Sequence, residues 1–132
     1  MAALAARIAI GSLSFMVMDG LWLGLLMTGF YRSRLAHLAR MANGSLAPDW
    51  SAALAVYLCL GAGIAVFVVP RATSVAHALG YGAIFGLVVY GVYDFTNLST
   101  LRDWPVLLTV VDIGWGMVAS AVCAAVAWKM GR

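Results

Sequence analysis

The chain has 132 residues, 64% of them hydrophobic and 10% charged, whereas a soluble domain is about half apolar and a quarter charged. That balance excludes a water-soluble globular protein, and the length allows one domain with no linker or low-complexity tract. The net charge is +3, but the eight Lys and Arg residues stand singly or in small groups at the edges of apolar runs. Lipid-headgroup anchors are distributed in this way, so no nucleic-acid partner is expected.

Ile8 to Phe30 is the first of four stretches that can cross a hydrocarbon core, which needs about 20 apolar residues. It is too long for a signal peptide, contains Asp19 and lacks a clear cleavage site, so it reads as a retained span. The loop Tyr31 to Trp50 follows. Its Leu35, Leu38 and Ala39 recur at helical spacing among arginines, which predicts a basic interfacial segment that continues the first helix or lies along the surface. Asn43-Gly44-Ser45 matches a glycosylation acceptor, a match short enough to arise by chance.

The second span, Ser51 to Val69, is opened by Pro48 and Asp49 and stopped by Pro70. Thr73 and Ser74 are placed to cap the third, Val75 to Asn97. Asp103-Trp104-Pro105 opens the fourth, Pro105 to Trp128, with a capping acid and an early proline. Trp50, Trp104, Trp128 and Tyr31 fall at span ends, where amphipathic rings prefer the headgroup level. Cys59 and Cys123 sit in apolar runs at different depths and are expected to be unbonded packing residues. The runs lack the alternation of a β-barrel. The expected fold is therefore an all-α integral membrane protein, a four-transmembrane-helix bundle with both termini on the same side.

Orientation is not decided by charge. One face carries Arg7, Arg71, Lys129 and Arg132, the other Arg32, Arg34, Arg40 and Arg102, so the positive-inside count is a tie. The termini are read as cytoplasmic, with mixed or dual insertion left open.

Contacts between helices in lipid concentrate where small residues let backbones approach. Ala78, Gly82, Gly86, Tyr90 and Asp94 follow one another at four-residue steps, as do Asp112, Gly116, Ser120 and Ala124. Each stripe leads to an aspartate, which turns Asp94 and Asp112 toward protein. The first span offers Gly20-x-x-x-Gly24 beside Asp19, the second Gly61-x-x-x-Ala65.

Ionisable groups at membrane depth are costly and mark functional sites by default. Measured from the face that holds the last loop, Asp94 lies about 5 Å in, Asp112 about 10 Å and Asp19 about 16 Å, at 1.5 Å per residue. No Lys or Arg lies in the apolar centre, and Arg102 can reach only Asp94. At least one of Asp19 and Asp112 is then expected to hold a proton or a bound cation. Thr96, Asn97, Tyr90, Tyr93 and Thr109 are candidate hydrogen-bond partners. Trp22 and Trp115 each follow an acid by three residues and so share its helix face. They can wall a pocket, lie over a cation or simply pack with the indole N–H on the acid. No Cys/His metal spacing, phosphate loop or nucleophile–base pattern is present, and no cofactor is implied. His37 and His77 sit near span ends as interfacial residues.

With Met18-Asp19-Gly20-Leu21-Trp22-Leu23, Tyr93-Asp94-Phe95-Thr96-Asn97-Leu98, Trp104-Pro105 and Asp112-Ile113-Gly114-Trp115-Gly116 in this order, the sequence resembles a family of small bacterial membrane proteins catalogued as domain of unknown function 2177. The resemblance covers nearly the whole chain and implies a bacterial inner membrane, but carries no activity.

Three functions compete. The first is proton-coupled binding or transport of a small amphipathic, hydrophobic or cationic ligand at Asp19, Trp22, Tyr90, Tyr93, Asp94, Asn97, Asp112 and Trp115. The second is an intramembrane lipid- or isoprenoid-modifying enzyme with a protonated Asp as general acid. The third is an accessory subunit of a larger membrane complex. A homo-oligomer is also open.

Overall fold

The computed structural model describes residues 1–131. Four helices are long and apolar enough to span a membrane, covering Ala2–Leu26, Trp50–Arg71, Val75–Thr100 and Val106–Met130. Helix α1 (Ala2–Leu21) runs on through a π-helical turn, Trp22–Leu26, and breaks at Met27 (φ −121°, ψ 13°). The Thr28 hydroxyl donates to the Leu23 carbonyl at 2.6 Å and satisfies part of the break. A short helix α2 (Thr28–Leu35) follows the break. Helix α3 (Trp50–Gly63) also loosens into a π turn, Ile64–Val68, and a 3₁₀ turn, Val69–Arg71. Pro70 in that last turn has no N–H to continue the ladder. Helices α4 (Val75–Thr100) and α5 (Val106–Met130) are uninterrupted.

Two local expectations are corrected. The interfacial segment is a short helix followed by a two-stranded hairpin, β1 (Met41–Ala42) with β2 (Ser45–Leu46). Its turn residues Asn43 and Gly44 have φ 51° and 76°, the doubly left-handed turn that Asn-Gly favours between paired strands. Asp103 does not cap α5; Pro105, with extended backbone, occupies the cap position and has no side-chain cap bond. By contrast, Asp49 accepts from the N–H groups of Ser51 and Ala52 at 3.0 and 3.2 Å, and Ser74 accepts from the His77 N–H at 3.1 Å. Both cysteines are free. The termini lie on one side of the bundle, where the Arg7 side chain donates to the Gly131 carbonyl at 3.0 Å.

The small-residue stripes of α4 and α5 meet. A Cβ on Gly82 would lie 2.6 Å from the Ser120 carbonyl, and one on Gly86 would collide with the Gly116 carbonyl. Gly116 in turn lies under the Tyr90 ring. Helix α1 does not pack through Gly20 and Gly24: both are exposed, with nothing within 4 Å of an added Cβ. Its close approach lies more than two turns toward the N-terminus, where a Cβ on Gly11 would stand 3.2 Å from the Gly61 Cα. The glycines next to Asp19 are on the wrong side of the helix, because one residue of advance rotates a side chain by about 100°. The core around Phe15, Leu60, Ile64, Val68, Cys123 and Ala127 fills this end of the bundle.

Candidate functional site

Toward the other end the helices carry large aromatic side chains in place of glycine and alanine, and a cavity of about 430 Å³ opens between them. It is lined from α1 by Asp19, from α2 by Tyr31, from α4 by Tyr90 and Tyr93, and from α5 by Asp112 and Trp115. Aliphatic residues of all four long helices complete the wall, and no Lys, Arg or His lines it. A shallower depression on the outer face of α4, around Leu87, Val92 and Phe95, holds no charged group.

The acid and indole on each helix are paired crosswise. The Trp115 indole N–H of α5 donates to Asp19 Oδ1 of α1 at 2.8 Å. The Trp22 indole N–H of α1 donates to the Tyr31 hydroxyl at 3.1 Å, and that hydroxyl donates to Asp112 Oδ1 at 2.5 Å. The two indole rings stack with centroids 4.4 Å apart and planes 1° from parallel. Neither indole therefore bonds the acid of its own helix. The stack joins α1 to α5 at the depth of the acids, and Trp22 sits behind Trp115, outside the cavity wall.

Asp94 is fully buried, with 0% exposure, yet neither of its carboxyl oxygens has a hydrogen-bond partner. The group it faces is the Asp112 carboxyl. Among the described residues no basic group pairs with it, and Arg102 is exposed. Asp94 is also absent from the cavity lining. Asp19 differs: besides the Trp115 N–H it has the Tyr57 hydroxyl facing it from α3.

The donors named from the sequence do not reach the acids. Asn97 bonds Tyr93 and lies off the cavity, and Thr109 accepts from the Trp104 indole at 3.1 Å. Thr96 uses its carbonyl to accept from Ser99 and Thr100. Tyr31 and Trp104, placed at the headgroup level by the sequence, instead line the cavity, and Tyr31 is only 5% exposed. Tyr57 was overlooked. A phenol in the middle of an otherwise apolar span needs a partner, and that was its available signal. For Tyr31 the helix break had to be known first.

Among the described residues no group of three or more His, Cys, Asp or Glu is arranged to hold a metal. Among curated proteins and solved structures, none matches the chain. A family model does, over residues 4–129. The chain thus belongs to the family described as predicted membrane protein (DUF2177), a multi-pass membrane protein family of unknown function.

Proposed function

We propose that the cavity binds a small amphipathic cation and that binding is coupled to release of a proton, in a multi-pass protein of a bacterial inner membrane with cytoplasmic termini. The observation that carries this reading is the lining itself: two carboxyl groups, five aromatic side chains from Tyr31, Tyr90, Tyr93, Trp104 and Trp115, and no basic residue. A cavity of about 430 Å³ falls within the usual range for small-molecule sites. An ammonium or phosphonium group near Asp112 or Asp19 gains Coulomb attraction that water does not screen, and the aromatic faces attract the same charge. The apolar remainder of the wall suits the hydrophobic part of such a ligand. Transport adds alternating exposure of this site to the two faces.

Equilibrium binding of tetraphenylphosphonium to the purified protein in detergent tests the reading. Saturable binding that tightens as pH rises is expected, because proton and cation compete for the same carboxyl groups. Asp19→Asn and Asp112→Asn should each weaken it about tenfold or more, a loss of about 1.4 kcal/mol. Absence of binding, or affinity in both variants unchanged from that of the unmodified protein, would overturn it.

A further inference from the structure

We propose that Asp94 and Asp112 together hold one shared proton, and that this buried pair is the proton site, while Asp19 holds the ligand's charge. The proposal rests on the cavity reading for its functional consequence, but the pair itself stands on geometry. A fully buried carboxyl group with no donor to either oxygen cannot be left as an uncompensated anion without a large desolvation cost. A cation, a donor or a proton removes that cost. Among the described residues no basic side chain pairs with Asp94, and Arg102 is exposed. The titratable groups near Asp94 are Asp112 on α5, Tyr31 on α2 and Tyr93 on its own helix. The Tyr31 hydroxyl is already given to Asp112 at 2.5 Å, and Tyr93 bonds Asn97. What remains is the Asp112 carboxyl, and two facing carboxyl groups attract only when a proton lies between them.

The positions divide the labour. Asp112 lines the cavity and Asp94 does not, so Asp112 is the member that meets both ligand and proton. Asp19 has the Trp115 N–H at 2.8 Å and the Tyr57 hydroxyl facing it, the surroundings of a carboxylate, which only accepts. A cation held at Asp19, inside the cavity that Asp112 also lines, supplies the compensating charge that the proton otherwise supplies. The proton then leaves to water, and total charge in the site is unchanged.

Infrared spectroscopy of the protein in detergent at neutral pH, with tetraphenylphosphonium as probe, tests this. The carbonyl stretch of a protonated carboxyl group is expected in the unmodified protein and in Asp19→Asn. It should be lost in Asp94→Asn, whose amide donates to Asp112 and lets it ionise. If Asp94→Asn does not fold, Asp112→Asn takes its place and should also lose the band. A band absent from the unmodified protein, lost in Asp19→Asn, or kept in a folded Asp94→Asn would overturn the assignment. Proton release on adding the probe should be about one per cation in the unmodified protein and near none in Asp94→Asn, which keeps the probe's binding site. If the band behaves as expected but the probe does not bind, the cavity reading fails while the shared proton stands. Full proton release from a folded Asp94→Asn would reject the pair as the proton site.

Discussion

The two ends of the bundle are built on opposite rules. Near the termini, Gly82, Gly86, Ser120 and Ala124 bring α4 and α5 to backbone contact, and Gly11 meets Gly61 across α1 and α3. Close packing of small side chains is the main attraction between helices in lipid, so this end holds the fold together. At the other end Tyr90, Tyr93 and Trp115 line a cavity between the helices. Carboxyl groups, indoles and a phenol take over the helix contacts there. Close packing of small residues and polar side-chain contacts are thereby separated along the bundle. A polar group costs least where the packing it disturbs is not what holds the helices together.

The sharpest way to break this contrast is to add bulk at the packed end. Gly86→Leu should cost at least about 3 kcal/mol, at the upper end of overpacking penalties, because the new side chain meets the Gly116 backbone. Gly24→Leu, with open space around it, should be tolerated. Thermal unfolding and size-exclusion profiles in detergent compare them, and equal stability would remove the distinction between a packing stripe and a lipid-facing glycine pair. At the open end, Trp115→Phe keeps a ring against Trp22 but removes the donor to Asp19. A loss of about 1–3 kcal/mol is expected for a buried acceptor left short of a donor, accompanied by weaker cation binding. Unchanged stability and affinity would mean that the indole serves only as bulk.

Outside both ends the effects shrink. Gly44→Ala places a side chain at φ 76° and should cost about 1–2 kcal/mol, confined to the hairpin. Faster amide exchange over Met41–Leu46 with unchanged exchange in α4 is the expected result. The smallest effect concerns Asp49, whose carboxyl is held below its ordinary range by the Ser51 hydroxyl and by the N–H groups of Ala52 and Ser51. A lowered value in the folded state means that the charged cap is complete above the free aspartate value of about 3.9 and is lost as pH falls through the lowered one. Asp49→Asn should keep the cap and abolish that acid-dependent fraying, read by amide exchange at Ser51 and Ala52.

The sequence by itself determined the four spans, the start of α3 at Asp49, the cap of α4 at Ser74, and that the small-residue stripes of α4 and α5 face protein; that they meet each other came from the tertiary structure. The features read from the sequence follow from hydropathy, capping chemistry and four-residue periodicity, all of which are local. The Asn43-Gly44 turn was equally legible, as a hairpin signal between short strands, but the surrounding arginines suggested a surface helix instead. Only the tertiary structure decided that Tyr31 turns inward to Asp112, that each indole serves the acid side of the opposite helix, and that Asp94 is enclosed without a donor. The reason is geometric. The pitch of one helix fixes which residues share its face, but partners across helices depend on the break at Met27, on the π turn before it, and on the rotation of each helix about its axis. A periodic pattern in one segment contains none of those.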